Sequence, residues 1–182
     1  MRLAIVASVC VVLLAGCGSH PKSAAPSKAD QEKALAGSPP ALASVHKEGS
    51  QLLGGGTSAF TQRLASLKGH PVVVNVWGAW CGPCREEFPV FQKVSVDAGK
   101  RVAFLGVDVQ DNDSSAKRFL KDFPVSYPSY SDPHLKIAQS LEAVGAFPTT
   151  LILDSRGKVA NKHFGPYTSD AALAADIRRY AS

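Results

Sequence analysis

The sequence predicts one α/β sandwich, a mixed β-sheet with helices packed on both faces. Three observations carry this prediction. Short β-branched apolar runs, "PVVVNVW" at residues 71–77 and "RVAFLGVDV" at residues 101–109, alternate with stretches of helical periodicity, the order that layers helices on a sheet. Two later runs, "PTTLILD" at 148–154 and "KVANKHF" at 158–164, flank Ser155, Arg156 and Gly157 and so read as an antiparallel hairpin. The length of 182 residues suits one domain with a sizeable core once terminal segments are set aside. The net charge of +5 is spread along the chain without a long Lys/Arg block, so the charge pattern gives no argument for nucleic acid.

The chain opens on "MRLAIVASVCVVLLAGC", with one positive charge at Arg2, an apolar run over 3–14, and Ala15 and Gly16 just before Cys17. This is the layout of a secretory signal. Its apolar run is too short for a permanent bilayer-spanning helix, which needs about 20 residues. "LAGC" resembles the bacterial lipobox, whose cysteine receives diacylglycerol on sulfur after cleavage between Gly16 and Cys17. The expected organisation is therefore a lipoprotein signal peptide at 1–16, a lipidated flexible tether at 17–50, and a folded domain at 51–182. A soluble secreted product is the alternative. The tether is expected because 18–49 is rich in Ala, Ser, Pro and Lys without sustained apolar periodicity, and a short helix near 28–36 would not change that.

Within the domain, Phe60, Leu64 and Leu67 follow a glycine-rich turn at helical spacing and end at Gly69. The run at 71–77 suits a buried central strand. After Cys84, Phe88, Phe91 and Val94 recur at three-residue intervals, which predicts a helix that Pro89 should kink by removing one backbone donor. A second buried strand follows at 101–109, then a helix capped by Asn112 or Asp113 with Ala116, Phe119, Leu120 and Phe123 on its apolar face. "YPSYSDP" reads as a short extended piece, 134–141 as a further helix, and 169–180 as a closing helix with Leu173, Ile177 and Tyr180 in one stripe.

The chemistry concentrates in "AWCGPCREEFP", residues 79–89. Of four cysteines, Cys10 would leave with the signal and Cys17 would carry lipid, so Cys81 and Cys84 are the only pair in the exported body. A Cys-x-x-Cys where a buried strand enters a helix puts the first sulfur at the helix N-terminus. There, unpaired N–H groups and the dipole favour a thiolate over a thiol of ordinary pKa near 8.5. Cys81 is then the attacking thiol and Cys84, about one turn on, the resolving one. Three other readings compete. Structural zinc needs four ligands, and His20, His46, His70, His134 and His163 are scattered singly. A copper chaperone would use both sulfurs and a distant histidine such as His134. An inert staple has little reason to sit between a strand and a helix.

"WCGPC", together with "NVWGAWCGPCREEFP" at 75–89 and "GAFPTTLILDSRGKV" at 145–159, resembles thioredoxin-fold oxidoreductases, in particular the TlpA/ResA-like branch of extracytoplasmic proteins. The resemblance spans residues 51–182. It implies a thioredoxin fold, a mixed central β-sheet flanked by helices, with a TlpA-like N-terminal extension and central insert. It also implies an exposed nucleophile at Cys81, a buried resolving thiol at Cys84, and a cis-proline at Pro148 whose neighbouring backbone receives an extended substrate. The implied substrate-contacting set is Trp80, Gly82, Pro83, Phe147 and Pro148. One departure is clear: where thioredoxins carry a buried, titrating aspartate six residues before the first cysteine, this chain has Asn75. Glu87 matches the glutamate of the family's Cys-x-x-Cys-x-x-Glu-x-Pro pattern, implicated in tuning the dithiol. Its spacing of three keeps it on the face of Cys84, and a solvated acid beside Arg85 and Glu86 is the competing reading.

The resemblance implies a membrane-anchored thiol-disulfide oxidoreductase with no metal and no cofactor beyond the Cys81–Cys84 pair. Its expected partners are client proteins with cysteines or disulfides and a membrane or exported recycling protein. Reduction, as in cytochrome c maturation, is the expected direction, with disulfide donation as the alternative. A thiol peroxidase is disfavoured, since Pro-x-x-x-Thr-x-x-Cys is absent.

Overall fold

A computed structural model describes residues 26–181. The signal segment, Cys10 and the lipobox Cys17 lie outside the described residues. Two strands made of apolar runs, broken only by Asn75 in one and by Gly106 and Asp108 in the other, form the centre. β2 (Val72–Trp77) and β3 (Ala103–Val109) run parallel, from Val72 opposite Ala103 to Trp77 opposite Asp108, and every residue of both is buried. β5 (Thr149–Leu153) lies antiparallel on the other side of β2, and β6 (Val159–Phe164) pairs antiparallel with β5. The hairpin turn is held by Asp154, whose Oδ1 accepts from the backbone N–H of Arg156 and of Lys158, each at 2.9 Å.

β4 (Ser129–Asp132) adds parallel to β3, and the two-residue β1 (Leu52–Leu53) adds parallel to β4. The sheet order is therefore β1-β4-β3-β2-β5-β6. β1 has no sequence signal, because two residues cannot show a period.

α4 (Gly82–Ala98) and α7 (Asp170–Tyr180) pack together, as do α3 (Gly56–Ser66) and α6 (Lys136–Ser140). Successive strand residues point to opposite faces. In β4, Tyr130 meets Phe60 of α3 while Ser129 accepts a hydrogen bond from Trp77, which packs on Phe88 of α4. The two helix pairs therefore cover opposite faces. α5 (Asp113–Asp122) joins the α4 side, where Phe119 stacks on Trp77 with 4.8 Å between ring centroids. Its cap is Asn112, whose Oδ1 accepts from Ser115 N–H at 3.0 Å. At Gly106 a Cβ would run into Ser129 Oγ and Trp77 Nε1, so only glycine lets the indole lie across β3.

The expected tether through residue 50 requires correction. α1 (Lys28–Leu35) and α2 (Pro40–Lys47) are helices packed on the domain, with Leu35, Leu42 and Val45 buried in its core. Ser50 Oγ accepts from Val125 N–H at 2.8 Å, and Arg63 pairs with Glu48. Three apolar side chains diluted by Ala, Ser and Pro do the anchoring, and a composition argument averages them away. Leu42→Ala should therefore lower the stability of the whole domain by about 2–5 kcal/mol, read as a shifted midpoint in urea. A tether residue would leave the midpoint where it was.

Candidate functional site

β2 ends at Trp77, the chain turns through Gly78 to Trp80, and α4 begins at Gly82 with Cys81 as its N-cap. Cys81 and Cys84 are joined in a disulfide, and Cys81 Sγ accepts from Cys84 N–H at 3.2 Å. That bond, to a donor in the first turn, is where a helix N-terminus favours negative charge. The sulfurs differ in access. Cys84 is wholly buried and Cys81 keeps 4% of its surface, so the exposed nucleophile expected at 81 is nearly covered in the joined form. Gly82 and Pro83, between them, are exposed.

Three contacts hold the turn. Asp111 Oδ2 accepts from Ala79 N–H at 2.8 Å, and the Trp80 indole N–H donates to Val109 O at 3.0 Å. Gly78 lets that indole fold back, since a Cβ there would lie 2.5 Å from Trp80 Nε1. Trp80 remains 54% exposed and meets Phe147 edge to face at 6.0 Å, which brings the loop before β5 beside the Cys-x-x-Cys turn. The Phe147–Pro148 bond in that loop is cis. The loop is tied down by Gly165 N–H donating to Pro148 O at 2.9 Å and Thr149 Oγ1 donating to Ala146 O at 2.7 Å.

Behind the sulfurs lies a buried acid. Glu87 has no exposed surface, which removes the reading of a solvated side chain. Its Oε1 accepts from Asn75 Nδ2 at 2.6 Å and its Oε2 from Tyr167 N–H at 3.2 Å. Burial pushes its carboxyl up to about 7, against the lowering pull of those two hydrogen bonds. Asn75, which cannot titrate, is thus the partner of a group that can. Pro89 lies inside α4 on its exposed side.

Asp108 was not anticipated. It is buried at the end of β3, opposite Trp77, and its Oδ1 has no partner among the described residues. Burial, with Asp111, Asp113 and Asp132 adding repulsion, pushes its carboxyl up to about 8. The available signal was an acid inside an otherwise apolar strand run, the same signal that marks Asn75 in β2. Arg85 offers these acids little relief. Its guanidinium sits over the Phe119 and Phe123 rings, 5.1 and 5.3 Å from their centroids, and donates to Ala79 O. His134 stands exposed before α6, and among the described residues no group of three or more His, Cys, Asp or Glu converges to hold a metal.

A thioredoxin-like fold with a Cys-x-x-Cys disulfide at the head of α4 and a cis-proline beside it has the architecture of the thiol-disulfide oxidoreductases. The Redoxin family model matches residues 43–177, well over half of the chain, and the chain belongs to that family. The thiol-disulfide oxidoreductase ResA of Bacillus cereus is 32% identical over 108 residues, 59% of this chain and 62% of that one. The thiol:disulfide interchange protein DsbE of Pseudomonas fluorescens biotype C is 34% identical over 111 residues, 60% and 59% of the two chains. The chain thus matches somewhat under two thirds of the length of these relatives. Among solved structures, a thiol:disulfide interchange protein DsbE from Chlorobium tepidum aligns with a TM-score of 0.58 at 28% identity, covering 64% of this chain and 84% of that one. The DsbF structure from MTB, in mixed oxidized and reduced forms, aligns at 0.59 and 26% with the same coverage.

Proposed function

We propose that this protein is a membrane-anchored extracytoplasmic reductant that passes electrons from Cys81 and Cys84 to disulfides in client proteins. In the proposed cycle, the Cys81 thiolate attacks a client disulfide. A Cys81–client S–S bond forms, and the second client sulfur leaves with its electron pair. Cys84 then loses its proton and attacks Cys81 Sγ, the Cys81–Cys84 bond forms, and the client's other sulfur departs as thiolate. Two electrons have moved, the client is reduced and the pair oxidised. Glu87 takes the proton of Cys84 as general base, while Trp80, Gly82, Pro83, Phe147 and Pro148 receive the client chain. No cofactor enters, and the oxidised pair is returned to the dithiol by a membrane or exported donor. Cys17 carries the lipid that keeps the domain at the cell membrane.

The observation that carries this reading is the asymmetry of the pair: one cysteine at a helix head with a trace of access, the other wholly buried, one helical turn before a buried acid. The direction is supported by that acid. A strong oxidant stabilises its thiolate, and so its reduced form. Here the buried acid Glu87 follows Cys84 by one helical turn, and Gly82 and Pro83 between the sulfurs offer no cation. Cytochrome c maturation is a fitting client pathway through the ResA-like resemblance. The deciding measurement is the reduction potential of the purified protein. A value near about −270 mV supports the reductant, and one near about −120 mV makes it a disulfide donor.

A further inference from the structure

Glu87 has no contact with solvent, yet a base that takes one proton per turnover must give it up before the next. The route out must run through neighbouring groups. The sheet register supplies one. Asn75 of β2 lies directly opposite Thr150 of β5, and Thr150 directly opposite His163 of β6. Residues opposite one another on neighbouring strands share a face, their Cβ atoms about 5 Å apart. Asn75 contacts Glu87 on the α4 side, so all three side chains look toward α4 and α7.

Two polar atoms of this row stand out. Asn75 Oδ1 and Thr150 Oγ1 are buried and make no hydrogen bond to any described residue, whereas buried polar groups are nearly always paired. At the outer end, His163 is half-buried and stacks on Tyr167, with 4.0 Å between ring centroids and 18° between planes. Tyr167 is the residue whose backbone N–H holds Glu87 Oε2. Glu87 and the imidazole therefore both contact Tyr167, and the unpaired hydroxyl of Thr150 lies in the register row between Asn75 and His163.

We infer that Thr150 and His163 form the proton exit of Glu87, handing the proton released by Cys84 from the buried carboxyl to solvent at the β6 edge. The inference rests on the function proposed above. The Thr150 hydroxyl both donates and accepts, as relaying requires. Imidazole takes a proton on one nitrogen and yields one from the other. Asn75 carries no proton. Its amide serves both states of Glu87, the Nδ2 donating to the carboxylate and, after a flip, the Oδ1 accepting from the acid. Thr150 Oγ1 is hydrogen-bonded to neither neighbour of the row, so the inferred route includes a bridging water at each gap. The other titratable groups facing Glu87 do not open this way. The Tyr127 hydroxyl also has no hydrogen-bond partner among the described residues, but Tyr127 is wholly buried and so leads to no solvent edge. The Tyr167 hydroxyl donates to Asp176 of α7 at 2.7 Å, and Cys84 is the proton's source. Thr150 and His163 are thus positioning residues, acting on the sulfur only through Glu87.

The test is the steady-state rate at which Cys84 resolves Cys81–glutathione mixed disulfides over repeated turnovers, with glutathione disulfide as substrate, dithiothreitol recharging the pair and the protein-free rate subtracted, in dilute, non-imidazole buffer. Thr150→Val keeps the shape and deletes the hydroxyl, and His163→Phe keeps the stack on Tyr167 and deletes both nitrogens. Each should slow resolution by about tenfold with an unchanged denaturation midpoint. Added imidazole should restore His163→Phe while leaving Glu87→Gln slow. Wild-type rates in both variants, or a slowing that imidazole does not relieve, overturns the exit. If the wild-type protein itself resolves no mixed disulfide, the parent reading fails instead, so the two failures are told apart.

Discussion

Replacing Cys84 by serine should convert the protein from a turnover catalyst into a trap. The Cys81 thiolate can still open a client disulfide, but a serine hydroxyl cannot displace the client from sulfur, so the covalent complex should persist. Because Cys84 is fully buried behind Cys81, no other group of the described chain stands in line to resolve the bond. Turnover of a disulfide substrate should fall on the order of a thousandfold, as it does when a member of a catalytic unit is removed. Client proteins should appear as reductant-sensitive adducts on non-reducing gels. Cys81→Ser should form none, since the sulfur left behind has no surface from which to attack. Prompt release of clients by Cys84→Ser, or equal adducts from both variants, would contradict the proposed order of attack.

The second expected result concerns pH. Burial raises the Glu87 carboxyl from its ordinary 4.5 to about 7 in the folded protein. Between those values the folded state holds a proton that the unfolded chain has released, and stability must fall as pH rises through that window. The contribution is complete below about pH 4.5 and gone above about 7. Asp108, raised from 3.8 to about 8, acts with the same sign over a wider span. A shift of this size for Glu87 corresponds to about 3 kcal/mol. Glu87→Gln removes one of the two titrations. The variant should match the wild type near pH 4.5, exceed its stability by up to about 3 kcal/mol above pH 7, and resolve mixed disulfides more slowly throughout. Denaturant melts across this range test it, and parallel curves for the two proteins would refute the buried-acid account.

Much of this was readable in the chain because it is local. The run before the cysteines is apolar at every position but Asn75, so a central strand was the only economical reading. Glu87 follows Cys84 by three residues, so their shared helix face needed no fold to be seen. What tertiary pairing decides was hidden. Nothing near Asn75 announces that its amide will meet a carboxylate twelve residues on, or that the N–H of Tyr167, eighty residues on from Glu87, will take the other oxygen. Asp111 gave no cue to its bond with Ala79, since a loop aspartate reads as solvated. A short helix near 28–36 was open to the sequence, but α2 and the docking of both helices on the domain were not, because their stability lies in the surface they cover.

Those two helices also fix a direction. Leu35 and His46 close on Gly99, the residue that ends α4, where a Cβ would lie 2.6 Å from Leu35 Cδ2 and 3.1 Å from His46 Cε1. The sulfurs crown the other end of that helix, some 17 residues and about 25 Å away. The proposed lipid on Cys17 would stand nine residues before the first described one, at most about 30 Å along the chain. The domain would then stand on its N-terminal helices like a lamp on its base, its reactive tip turned toward passing secreted chains. A recycling donor held in the bilayer would have to reach that far end of α4 to return electrons to the pair.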